Sequence, residues 1–310
     1  MTEGRFKTVF FTFSIALITC MGYMVCGNWI GWSSPATYLM KHNKTDLDVT
    51  NYDMMIAMYD LGNIISPIPC GYFLGLFGRK PTISIIVPIN MIAWITILVW
   101  TSRLDVLYSA RLFAGLAKGM TICTIPVYVG EIAEVKLRGS VLSMFPIMLA
   151  MGMLCIQMIG QVIDYQQLNI LGLFFSTVFT VLFFIMPESP YYLMQKNRRD
   201  QAEKSLRSIR AKDDVTDELA MIEETVAKQM QSKSTYTELF TNKSNRKAFV
   251  ITARASVFQR LSGISPRTIG NPQLRPIAYK CSAASRSYQN VEAERLSVIT
   301  VGKYLNNNFT

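Results

Sequence analysis

The sequence predicts an all-α membrane protein, and three observations carry that prediction. Hydrophobic residues make up 50% of the 310-residue chain and charged residues only 17%, with a mean hydropathy of +0.25. A soluble domain carries about 25% charged residues. Apolar runs of about 20 residues recur, each long enough to cross a hydrocarbon core of about 30 Å. Basic residues gather in alternate connections, the pattern of cytoplasmic loops in multi-pass proteins. The expected organisation is a six-helix transmembrane bundle over residues 1–190 and a cytoplasmic helical linker over 191–245. A marginal seventh helix over 246–264 and an unstructured tail over 265–310 follow.

The first span runs from Val9 to about Trp32, behind a short basic leader holding Arg5 and Lys7. It exceeds the apolar core of a signal peptide and lacks a small-x-small cleavage site, so it reads as a spanning helix. Pro35, in the run GWSSP, is expected to stop it. The polar loop that follows contains Asn43-Lys44-Thr45, a glycosylation sequon on the non-cytoplasmic side by the charge rule. His42, the sole histidine, lies in the same loop with no second ligand and reads as solvated.

A second span is expected from Tyr52 to Phe77 as one segment with a Pro67–Pro69 break. Asp60 within it faces either a bundle interior or water at the outer interface, and both readings stand. The segment ends in GLFGRKP, where Gly78 permits a tight turn and Arg79 and Lys80 place that end in the cytoplasm. Spans three (82–101) and four (106–129) are joined through Arg103 and Asp105; spans five (141–163) and six (168–186) follow. The connections at 78–80, 134–138 and beyond 190 are richer in Lys and Arg than those at 102–105 and 164–167. Both ends of the block, the N-terminus included, are therefore expected in the cytoplasm.

The stretch RLFAGLAKGMTICTIPVYVGEIAEVKLRG, residues 111–139, organises the rest. Arg111, Gly115 and Gly119 recur every four residues and so share one helix stripe, where two glycines admit a close neighbouring backbone. Pro126 is expected to interrupt the helix. Glu131 and Arg138 stand seven residues apart, about two turns, which suggests an ion-pair latch where the chain leaves the membrane.

After Pro187-Glu188-Ser189-Pro190 the composition turns polar, with Leu206, Ile209, Leu219, Ile222 and Val226 at helical spacing. Mixed charges such as Asp213, Asp214, Glu223 and Glu224 favour packing on protein over lying on lipid. The run at 248–264 is apolar but interrupted by Arg254 and Arg260, each costing roughly 2.5–3.5 kcal/mol at a helix centre. The formal charge of +10 lies largely in 196–247 and the tail, flanking apolar helices, so no nucleic-acid partner is expected. Five of the six cysteines sit in apolar stretches without metal-ligand spacing. No nucleophile–base set, metal cluster or phosphate loop is legible, which excludes an enzyme and any cofactor.

Four motifs in order then carry a resemblance: GRKPT, PVYVGEIAEVKLRG, PESPYYL and QRLSGI. Over residues 6–264 the chain resembles the sugar-porter branch of the major facilitator superfamily, most of all insect facilitated trehalose and hexose transporters. The resemblance implies a twelve-helix fold of two six-helix halves working by alternating access, of which this is the N-terminal half. It implies that Gly78, Arg79, Lys80, Glu131, Arg138 and Glu188 belong to a cytoplasmic charge cluster that holds the inner gate shut. It also implies that Gln157 and Gln259 hydrogen-bond sugar hydroxyls, a task an amide suits because it donates and accepts.

The departures are Gly75 where the family has an acid, Pro146 where it has a glutamine, and Arg260 and Ser265 where it has glutamine and asparagine. Past Ser265 the resemblance stops, as after a frameshift, retained intron or alternative exon. The implied function is carbohydrate transport in the plasma membrane, here as a truncated half, with a sugar and the lipid bilayer as partners. A second half or another copy is the expected protein partner. The alternative is a non-transporting fragment that regulates a full-length relative.

Overall fold

The computed structural model describes residues 3–42, 52–100, 103–134, 137–210, 212 and 214–231, with isolated positions at 246, 250, 251 and 254. Asn43, Gln259, nearly all of the expected seventh helix and the whole tail lie outside the described residues. The bundle and the linker helices fall within one compact unit, Met1–Lys233.

Among the described residues the structure is helical with no strand. The membrane block comprises α1 (Glu3–His42), α2 (Tyr52–Ile65), α3 (Pro67–Leu76), α4 (Arg79–Val99), α5 (Leu104–Ile132), α6 (Arg138–Leu142), α7 (Met144–Ile159) and α8 (Tyr165–Phe184). Three linker helices follow: α9 (Pro190–Gln195), α10 (Arg199–Arg210) and α11 (Thr216–Gln231). Five segments are long and apolar enough to cross a membrane: Thr8–Met40, Arg79–Val99, Leu104–Ile132, Arg138–Ile159 and Tyr165–Phe184.

Two proline expectations need correction. Pro35 does not stop the first helix, which runs on to His42. Its ring packs on Gly160, and beyond it Ala36, Leu39 and Met40 are buried. Two such large apolar side chains contribute about 1.5–3 kcal/mol each, enough to offset a proline cost of about 3 kcal/mol. Pro126 does not interrupt α5 either, which continues to Ile132. The Ile122 carbonyl, whose helical donor Pro126 removes, accepts a hydrogen bond from Tyr23 Oη at 3.4 Å instead. The second span does break at its prolines, as expected: it divides at Ser66 into α2 and α3, because Pro67 and Pro69 can donate no backbone bonds.

Packing follows small residues. A Cβ at Gly115 would strike the Tyr59 carbonyl, and one at Gly119 would lie 2.7 Å from Asn63 O, so the sequence-predicted stripe seats α2 against α5. A second such seam, unread in the sequence, joins α1 to α7, where Gly27 meets the Leu149 carbonyl and Gly152 meets that of Met24. A small apolar cluster of Cys70, Ile86, Ala117 and Met120 lies among the bundle helices beside two larger ones. One surrounds Tyr128, Phe179 and Phe183 at the Arg79 end, and the other surrounds Trp29, Trp32 and Trp94 at the far end. The linker helices close a small core of their own from Leu193, Leu206, Leu219, Ile222 and Val226.

Candidate functional site

At the turn between α3 and α4, Gly78 holds φ 102° and ψ −179°, a region open essentially to glycine alone. A Cβ there would lie 2.6 Å from Tyr192 Cε1 and 2.8 Å from Glu188 Oε2. That turn delivers Arg79 to the end of α5. Arg79 donates to Glu131 Oε1 twice, through Nε at 3.1 Å and Nη2 at 2.6 Å, and its Nη1 reaches Gln195 Oε1 at 3.5 Å. Its guanidinium also lies 5.3 Å from the centre of the Tyr192 ring. The other oxygen of Glu131 accepts from Ser189 Oγ at 2.5 Å.

Glu188 completes the knot through backbone. Its Oε1 accepts from Lys80 N at 3.1 Å and from Ser189 N at 2.8 Å. Burial pushes the Glu188 carboxyl above the ordinary carboxylate range, opposed by the N–H groups of Ser189, Lys80 and Arg79 and by the Arg79 charge. Around it Tyr192 Oη donates to Leu76 O at 2.8 Å, Tyr128 Oη to Pro187 O at 2.5 Å and Ser205 Oγ to Glu188 O at 2.5 Å. Five helices, α3, α4, α5, α9 and α10, thus meet at one polar knot.

Of the residues singled out in the sequence, the structure brings together Gly78, Arg79, Glu131, Glu188 and the backbone of Lys80. The Lys80 ammonium instead donates to Phe184 O at 3.0 Å. Arg138 opens α6 and donates through its backbone to Glu134 O at 2.9 Å. Its Nε is buried without a partner, and among the described residues it forms no ion pair. Gln157 is half-buried on α7 with no side-chain hydrogen bond among the described residues, and Pro146 on the same helix is exposed.

Sequence reasoning missed the linker side of the knot. Arg210, only 4% exposed, pairs with Glu218 at 2.6 Å and donates through Nη1 to Ile132 O at 2.9 Å, a cation at the C-terminus of α5. Thr8 Oγ1 donates to Arg210 O at 2.9 Å, fastening α1 to the same point. The available signal was a basic residue ending the apolar stripe of Leu206 and Ile209. Also missed were the surroundings of Arg111. Its guanidinium donates to Trp29 O at 3.0 Å and to Ser33 Oγ, and it lies about 5 Å from the Trp32 and Tyr59 rings. The i, i+3 pair Trp29 and Trp32, with Ser33, was the legible hint.

The chain's sequence matches the profile of the "Sugar (and other) transporter" family over residues 7–269. The chain belongs to the sugar transporter family. Among relatives, the facilitated trehalose transporter Tret1 of Anopheles gambiae is 32% identical over 257 residues, covering 81% of this chain and 32% of that protein. The Tret1 of Culex quinquefasciatus is 31% identical over 266 residues, covering 84% of this chain and 51% of its own. The chain therefore spans a third to a half of the curated relatives it matches.

Among solved structures, the proton:xylose symporter XylE bound to 6-bromo-6-deoxy-D-glucose superposes with a TM-score of 0.70 at 20% identity. That match covers 88% of this chain and 65% of the other. An inward-open XylE from E. coli gives 0.66 at 19% identity, covering 94% and 70%. The fold is thus that of the N-terminal part of a major facilitator, the class expected from the sequence. Family membership makes the protein a multi-pass membrane protein of the transporter kind rather than an enzyme.

Proposed function

We propose that this bundle forms one wall of a carbohydrate carrier that works by alternating access, taking trehalose, as its relatives' names suggest, or a hexose. The observation that carries the reading is the polar knot: Arg79, Glu131, Ser189 and Glu188 tie the ends of α4 and α5 to the chain leaving α8. Charged hydrogen bonds at a helix-bundle end are worth about 1.5–3 kcal/mol each, the scale needed to bias two states separated by a few kcal/mol. That end is the cytoplasmic one. Arg79, Lys80, Arg138, Lys196, Arg198 and Arg199 gather there, whereas Arg103 at the opposite end is paired with Asp105 at 2.7 Å. The membrane is the plasma membrane.

Gln157, half-buried on α7, is the residue of this bundle assigned here to the sugar, and Gln259, the other candidate, lies outside the described residues. The second wall of the path comes from another six-helix bundle, since a midplane sugar is held between two halves. The test is reconstitution in liposomes with labelled trehalose and labelled glucose. The chain by itself gives no saturable uptake; fused after residue 264 to the C-terminal bundle of the Anopheles Tret1, it gives saturable, competable uptake. An inactive chimera that is correctly inserted overturns the carrier reading, and saturable uptake by the chain alone overturns the one-wall reading.

A further inference from the structure

Between α4 and α8 the bundle leaves a cavity of about 140 Å³ lined by Ser84, Val87, Pro88, Met91, Thr180, Phe183 and Phe184. Pro88, within α4, lines it, and its ring takes the place of a backbone donor there. The cavity offers water little. The Thr180 hydroxyl donates to Ser176 O at 2.7 Å, and the remaining lining is mostly apolar. A dry apolar space of this size takes hydrocarbon. Its rim belongs to the outward surface, for Ile85, Val181 and Phe184 are exposed by 42%, 59% and 65%. In a membrane-spanning helix such a surface meets acyl chains.

The mouth of the cavity carries a charge. Lys80, in the first turn of α4, donates its ammonium to the carbonyl of Phe184, itself a lining residue, at 3.0 Å. No carboxylate among the described residues forms an ion pair with that ammonium, and Glu188 is occupied by the Lys80 backbone N–H. An ammonium has three N–H donors, so two remain directed away from the carbonyl at the level where the helix leaves the hydrocarbon. A cation at the interface directly above an apolar cleft is complementary to one kind of molecule.

We propose that the α4–α8 groove is a binding site for an anionic phospholipid, with the acyl chain in the Pro88 cleft and the headgroup phosphate on Lys80. The residue that the sequence placed in the gate cluster thereby acts through its side chain on lipid, while its backbone serves the knot. The site lies on the inner leaflet if the orientation proposed above holds, but its existence rests only on the cleft, the cation and the membrane.

The test uses the full 310-residue chain in nanodiscs containing phosphatidylserine with a photoactivatable diazirine on its acyl chain, or the matching phosphatidylcholine. Cross-links are expected within 84–91 and 177–184, with phosphatidylserine about five-fold ahead, the factor given by about 1 kcal/mol per basic residue near an anionic headgroup. Lys80→Gln removes that preference while hydrocarbon labelling continues. Thr180→Phe, or Ser84→Leu entering from the other helix, abolishes labelling at both stretches, with monodispersity on gel filtration reporting the fold. An excess of glycerophosphoserine, which has the headgroup and no chains, leaves labelling unchanged. Labels spread evenly over other exposed apolar positions such as Leu154 and Met158 overturn the proposal. So does an undiminished preference in Lys80→Gln, or displacement by glycerophosphoserine. None of these readouts depends on transport, so they stand or fall apart from the carrier reading.

Discussion

Replacing Glu131 by Gln strips the charge from the partner of Arg79 and leaves one amide oxygen where two carboxylate oxygens served Arg79 and Ser189 separately. The Arg79 and Glu131 side chains are only 10% and 17% exposed, so little water screens the pair. Two charged hydrogen bonds of 2.6 and 3.1 Å are weakened at once. Breaking a buried pair from one side costs about 3–5 kcal/mol. Gln195 and the Tyr192 ring still face the guanidinium, and the amide oxygen still accepts one bond, which lowers the expected loss to about 2–3 kcal/mol. Arg79→Met alone leaves a buried carboxylate and costs a similar amount, whereas the double variant leaves neither charge stranded. The expected coupling is therefore about 2 kcal/mol. It is read from equilibrium unfolding of the wild type, the two single variants and the double variant in mixed micelles titrated with a denaturing detergent. The exposed Arg103–Asp105 pair, treated identically, gives the surface baseline and a far smaller coupling that salt erodes. A coupling below about 0.5 kcal/mol at Arg79–Glu131 would refute the reasoning, because it would place a desolvated pair among solvated ones.

Gly78→Ala must force a side chain into a glycine-only backbone region and against Tyr192, so it should destabilise the bundle by about 1–3 kcal/mol, measured by the same unfolding titration. No measurable change would show the turn to be free to rearrange. For Glu188 the sign follows from its raised carboxyl. The folded chain holds this proton more tightly than the unfolded chain, whose glutamate titrates near about 4.3. Its stabilising contribution is complete below that value and is lost as pH rises through the folded-state value. From about pH 4 upward, wild type should thus lose stability relative to Glu188→Gln; a relative gain would contradict the burial argument. Orientation is checked by glycosylation mapping in microsomes: Asn43 should be modified and Asn242, also in a sequon, should not, and the reverse pattern would invert the proposed topology.

Composition and period alone were enough for the all-helical membrane class, because lipid demands long apolar helices whatever their neighbours. The Gly115–Gly119 stripe was legible for the same kind of reason: a missing side chain on one helix face is a local fact. What Pro35 and Pro126 do was not legible. Pro126 stays within α5 because Tyr23, from α1, serves the carbonyl that the proline abandons, and Pro35 stays within α1 because Gly160 and the burial of Leu39 and Met40 hold it. Pro67 has no such rescue and divides the second span. Motif resemblance brought Arg79, Glu131 and Glu188 to one place, but not the atoms that join them. Only the fold decided that Glu188 binds the backbone of Lys80 and not its ammonium, and that Ser189 and Arg210 enter the knot. The physical reason is one of range. Periodicity and propensity are properties of neighbours along the chain, whereas a hydrogen bond between Arg79 and Glu131, or between Arg210 and Ile132, depends on how close separate helices come. That distance is set by every small residue and every side-chain volume between them.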